Sequence, residues 1–63
     1  MATAIEEVTD SDSLEDALDA ASDMTFEIAE AHEAGEHDTA LNVLEALEAT
    51  LRAVRTFLGG FSG

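Results

Sequence analysis

Hydrophobic and small residues recur at intervals of three and four over two stretches of the chain, which predicts two amphipathic helices. In the first stretch, aspartates and glutamates occupy the opposite side. Asp12, with Glu15 three residues later, has the pattern of a helix cap, and Gly35 suits the residue just after a helix. We therefore predict a first helix over about residues 13–34. Its apolar positions are Leu14, Ala17, Leu18, Ala21, Met24, Ile28 and Ala31.

The second stretch follows at once and has a more continuous apolar side. Asp38, or Thr39 in its place, has a side chain suited to begin a helix. We predict a turn over residues 35–38 and a second helix over about 39–58. Six of its apolar residues are spaced 4-3-4-3-4, which is the a/d repeat of a coiled-coil seam. The seam consists of Ala40, Leu44, Leu47, Leu51, Val54 and Leu58.

Two helices joined by so short a turn become antiparallel neighbours, so the predicted fold class is all-α, an antiparallel two-helix hairpin. A chain of 63 residues buries a limited share of its surface. It has no cysteine to supply a disulfide, so association is the remaining route to a sufficient core. We expect two hairpins to dimerise into a four-helix bundle. The predicted interface residues are Leu44, Leu47, Leu51, Val54, Leu58, Phe57 and Phe26.

The hairpin, at residues 12–58, is flanked by two segments that we expect to be flexible. Residues 1–11 are polar and acidic apart from Ile5 and Val8, which favours a mobile tail. An alternative is a short amphipathic turn that docks on a partner. Residues 59–63 form the expected C-terminal tail. The chain shows neither a signal-peptide pattern nor an uninterrupted apolar run of about 18 residues, so we expect a cytoplasmic protein without a membrane segment.

The charge is strongly negative and unevenly distributed. The formal net charge is −13, and residues 1–38 hold 13 of the 15 aspartates and glutamates and no lysine or arginine. Such a charge opposes compaction in dilute buffer, whereas about 1 M salt reduces the Debye length to ~3 Å. This composition resembles that of proteins from salt-accumulating haloarchaea, which implies a high-salt cytoplasm. The same charge argues against direct binding to nucleic acid.

The turn and second helix resemble part of a tetratricopeptide repeat. Gly35, Ala40 and Leu44 stand at the positions where that motif carries its glycine, alanine and bulky residue. Leu47 replaces the small residue expected next, and the chain contains no second copy of the unit. Since a lone repeat cannot bury its own face, the resemblance implies a helical hairpin only.

The small subunit of exonuclease VII is also a short acidic hairpin with a glycine in its turn, and this chain resembles it in composition. That resemblance implies an alternative function, as an accessory subunit of a nucleic-acid enzyme.

Possible metal ligands cluster around the turn. His32, Glu36, His37 and Asp38 carry imidazole and carboxylate groups that suit zinc and related ions. His32 and Glu36 would share a helix face if the helix continued, but Gly35 is expected to end it. A metal-binding bundle is therefore an alternative, and the preferred function needs no cofactor.

Phe26 is an aromatic residue among acidic ones. At about 100° per residue it projects roughly 120° from Leu14, beside Glu15, Asp19 and Glu30, which indicates a contact with a partner. No arrangement of residues typical of catalysis is visible. The sequence thus predicts a non-enzymatic protein–protein interaction module, a regulator, adaptor or accessory subunit. We expect it to bind itself as a homodimer and another protein.

Overall fold

A computed structural model describes residues 5–60, and two helices account for most of them. Helix α1 spans Ser11–Glu33 and helix α2 spans His37–Gly59. The two helices pack against each other, and residues 5–60 contain no strand. The predicted all-α hairpin is therefore confirmed.

The predicted tails lie partly outside the described range. Residues 1–4 of the N-terminal tail and residues 61–63 of the C-terminal tail are not among the residues that the structure describes. The mobility of both tails stays a prediction. Residues 5–9 have no regular secondary structure, and α1 begins within the segment that was expected to be a tail.

Helix α1 begins two residues earlier than predicted, because a different aspartate caps it. The Asp10 carboxylate accepts a hydrogen bond from the Ser13 N–H at 2.8 Å, and the Ser13 hydroxyl oxygen accepts one from the Asp10 N–H at 3.0 Å. This reciprocal pair is a capping box in which serine takes the usual place of glutamate. The predicted cap at Asp12 is wrong, since Asp12 lies within the first turn. The hydrogen bonds from Ser13 hold the pKa of the Asp10 carboxyl below its ordinary value of 3.8.

Replacing Asp10 with Ala should fray the first turn of α1, because the Ser13 N–H loses its acceptor. In the wild type the carboxylate contributes its full stabilisation above the ordinary pKa of 3.8. That contribution is lost as the pH falls through the lower pKa of the folded state. Amide-exchange protection of Ser13, compared with that of mid-helix amides, should therefore decline at acidic pH. Asp10→Asn, which also caps, should remove this pH dependence; an unchanged profile in Asp10→Asn would contradict the assignment.

Backbone hydrogen bonds around Gly35 close the turn between the helices. Gly35 lies just after α1, as the sequence predicted. Gly35 has a φ of 76°, in the region that favours glycine. The Glu36 N–H donates to the Ala31 carbonyl at 2.8 Å, and the Gly35 N–H donates to the His32 carbonyl at 3.1 Å. This is a Schellman motif. Because the motif reverses the chain within three residues, α2 starts at His37, and the predicted cap at Asp38 is wrong.

Small side chains make most of the contact between α1 and α2. Half of the buried hydrophobic residues are alanines, which let the helices approach while they remove little apolar surface from water. The hairpin core is therefore small. The buried hydrophobic residues are Ala17, Ala21, Met24, Ala31, Val43 and Val54.

A threonine that the sequence pattern did not single out lies in the middle of this contact. Thr50 is completely buried. Its hydroxyl donates to the Ala46 carbonyl at 3.0 Å and accepts from the Ile5 N–H at 3.0 Å, so both its donor and its acceptor are used. Val8 lines a cleft together with Ala53 of α2. The segment before α1 therefore contacts α2 of its own chain.

Replacing Thr50 with Val should lower the free energy of unfolding by about 1 kcal/mol, because the Ile5 N–H loses its acceptor while the shape of the side chain is kept. Urea unfolding in about 2 M KCl, where the charge is screened, measures this loss. Thr56→Val is the matched control, since Thr56 is exposed and its hydroxyl also donates to a carbonyl one turn earlier. Equal losses in the two variants would show that the contact with Ile5 contributes nothing.

Candidate interaction surface

Leucine side chains that the hairpin core does not use lie at the surface. Leu44, Leu51 and Leu58 of α2 are 39%, 46% and 50% exposed, and Leu18 of α1 is 47% exposed. The residues of the predicted α2 seam therefore do not all face the same way. Three are exposed, whereas the other three face α1: Val54 is buried, and Leu47 and Ala40 are half-buried.

Four of the five leucines in the exposed class lie on one face of the hairpin, while Leu41 lies nearly opposite the contact with α1. On α2, Leu44, Leu51 and Leu58 lie about 60–100° round the helix from the line of residues that contacts α1, and Leu18 lies a similar angle from the contact line of α1. Viewed from the N-terminus of each helix, the leucines are rotated from the contact line in the same sense. Because the helices are antiparallel, residues rotated in the same sense lie on the same face of the pair. Leu18, Leu44, Leu51 and Leu58 therefore form a single surface, which we name the leucine face.

Carboxylates are excluded from the α1 side of this face. The eight aspartates and glutamates of α1 lie in an arc of about 120° that covers its back and the side remote from the leucine face. On α2, Glu48 lies near the margin of the leucine face, and Arg55 lies beside it one heptad later. Asp38 and Glu45 line a surface concavity together with Leu41 and Leu44, at one end of the face. Apart from that end, the leucine face is therefore nearly neutral in a chain with a formal net charge of −13. The carboxylates in the α1 arc are Asp12, Glu15, Asp16, Asp19, Asp23, Glu27, Glu30 and Glu33.

The two phenylalanines predicted at an interface have different surroundings. Phe26 is 68% exposed, the highest value among the exposed large hydrophobic residues. It lies on the back of α1, roughly opposite the line of contact with α2 and within the arc of carboxylates. Phe57 is half-buried. The structure therefore places Phe26 apart from the leucine face.

The predicted metal ligands at the turn are brought near one another without forming a site. His32, Glu36, His37 and Asp38 are all exposed. The imidazole rings of His32 and His37 have their centroids 6.4 Å apart. Within residues 5–60, no group of three or more histidines, aspartates or glutamates is arranged to hold a metal ion. The metal-binding alternative thus has no support in the geometry of the turn.

Comparison with models of protein families, with curated proteins and with solved structures finds no match for this chain. Neither described helix has the length and apolar character needed to span a membrane. The surface chemistry of the hairpin is therefore the basis for inferring what the chain does.

Proposed function

We propose that this chain is a small non-enzymatic protein–protein interaction module that acts as a homodimer in a high-salt cytoplasm. The observation that carries the proposal is the leucine face. Six large hydrophobic residues are exposed on the hairpin, whereas half of the six buried ones are alanines. Between 39% and 50% of the surface of Leu18, Leu44, Leu51 and Leu58 therefore remains in contact with water in a single hairpin.

A second copy is the partner that best explains this distribution. A chain below about 70–80 residues rarely stabilises itself by one core alone and uses disulfides, metals or association. This chain has no cysteine, and its described residues offer no metal site. Two leucine faces packed together would give an antiparallel four-helix bundle, with Leu44, Leu51 and Leu58 in its interior.

A second protein partner belongs to the same proposal. Phe26 lies outside the leucine face, so it stays available when two copies pair. A large exposed aromatic residue is typical of an anchor in an interface. The module would then serve as a regulator, adaptor or accessory subunit. In the accessory-subunit alternative, a basic partner protein supplies the contacts to nucleic-acid phosphates, because the charge of this chain opposes them.

Replacing Leu51 with Asp should dissociate the dimer, because a carboxylate is then placed at the centre of the buried leucine face. The released hairpin should also lose helicity, since its own core is small. Sedimentation and circular dichroism in about 2 M KCl measure the two effects.

Phe26→Asp is the matched control, since it adds the same charge at an exposed position of a helix, away from the leucine face. It should leave the dimer intact. A Leu51→Asp variant that stays dimeric, or a Phe26→Asp variant that dissociates, would refute the assignment of the face.

Raising the KCl concentration from about 0.1 M to about 2 M should increase both the helicity and the dimer fraction, because shorter screening lengths weaken repulsion between carboxylates. Circular dichroism and sedimentation over this series measure the two quantities. A dimer that is equally stable at both concentrations would contradict the adaptation to high salt. That result would not contradict the assignment of the leucine face as the dimer interface.

A further inference from the structure

The exposed side of α2 carries a second heptad pattern, which shares its central leucines with the seam predicted at first. Its members are spaced 3-4-3-4-3, which is an a/d repeat. All six belong to the exposed class, so this repeat lies outside the contact with α1. We name it the outer seam. It consists of Leu41, Leu44, Glu48, Leu51, Arg55 and Leu58.

The two charges in the outer seam are placed symmetrically about its centre. Leu51 lies midway between Leu44 and Leu58. The midpoint between Glu48 and Arg55 falls between residues 51 and 52. A two-fold axis at this point relates Leu44 to Leu58, Leu51 to itself and Glu48 to Arg55 at the same time, whereas Leu41 has no counterpart in the seam. Over residues 44–58, the outer seam is therefore complementary to a reversed copy of itself.

We propose that α2 pairs in antiparallel orientation with α2 of a second copy, about a two-fold axis near Leu51; this rests on the homodimer proposed above. Leu51 meets Leu51 of the second copy, and Leu44 meets Leu58. Glu48 lies level with Arg55 of the second copy, and the symmetry makes this ion pair twice. A parallel pair would instead set Glu48 against Glu48 and Arg55 against Arg55, which is unfavourable.

The charge distribution favours a second copy over an unrelated partner on this seam. Two chains with a net charge of −13 each repel one another wherever their carboxylates approach. The outer seam has one negative and one positive residue, and the adjoining side of α1 has no carboxylate. It is therefore the part of the hairpin where two copies meet with the least repulsion.

Engineered cysteines test the register directly, since the chain has none of its own. A disulfide needs Cα atoms within about 7 Å. Leu51→Cys should cross-link under mild oxidation in about 2 M KCl. Leu44→Cys alone and Leu58→Cys alone should not, because in the antiparallel register each residue is about 20 Å from its own copy. An equimolar mixture of Leu44→Cys and Leu58→Cys should cross-link as a heterodimer.

The other cross-linking patterns would overturn the proposal in distinguishable ways. Efficient self-linking of both Leu44→Cys and Leu58→Cys would show a parallel pair. Cross-linking of a Leu18→Cys and Leu51→Cys mixture, without self-linking of Leu51→Cys, would show that α2 packs on α1 of the second copy. A wild type that sediments at 6.6 kDa in molar KCl would overturn the homodimer as well as its register.

Exchanging the two charges tests the ion pair. Glu48→Arg should weaken dimerisation about tenfold, because two arginines then face each other. Arg55→Glu should weaken it similarly. The double variant restores both pairs at an unchanged net charge and should recover the wild-type dissociation constant.

Asp23→Arg, on the back of α1, is the control for the change in net charge that Glu48→Arg causes. It should not weaken the dimer. If Glu48→Arg behaves like Asp23→Arg, or if the double variant is weaker than either single variant, the ion pair is refuted.

Discussion

The close contact between α1 and α2 is the constraint on which the remaining structure depends. Alanines at Ala17, Ala21 and Ala31 let the two helices approach, and the valines of α2 fill the narrow space that is left. Leu47 faces α1 and is half-buried, whereas Leu44, Leu51 and Leu58 lie to one side of the contact line. The small core and the exposed leucine face are thus two consequences of one packing arrangement.

The distribution of charge follows the same geometry. Each helix has one side committed to the hairpin and one side that carries leucines, so the carboxylates of α1 are left an arc of about 120°. Confined to that arc, they lie near one another and repel one another, and dissolved salt screens this repulsion. The same confinement keeps carboxylates off the α1 side of the leucine face. In the proposed dimer, the acidity would therefore restrict which surfaces of two copies can meet.

The helices and the turn could be predicted from sequence, whereas the orientation of α2 could not. Apolar residues repeated every three or four positions predict the two helices, and Gly35, the one glycine between them, predicts the turn. The apolar side of α2 is wide, however, and either Leu44 or Val43 could have faced α1. In the structure Val43 and Thr50 are buried and Leu51 is 46% exposed, an outcome that depends on how the two helices pack and not on the pattern of either helix alone. Capping was mispredicted for a similar reason: Asp10 and Asp12 are both suitable caps. The two reciprocal hydrogen bonds between Asp10 and Ser13 distinguish them.

The two sides of the α2 contact line have different neighbours, and this asymmetry bears on the proposed assembly. On one side, the segment before α1 lies beside Ala53, and the Ile5 N–H is bound to the Thr50 hydroxyl. On the other side the leucines are uncovered. A helix with two open apolar sides could add neighbours on both, and association would then continue without closing. With one side occupied by its own chain, α2 leaves one apolar side uncovered, and the proposed dimer would close at a pair. In that proposal the Thr50 hydroxyl would contribute to closure as well as to the fold, because it binds the segment that covers the other side.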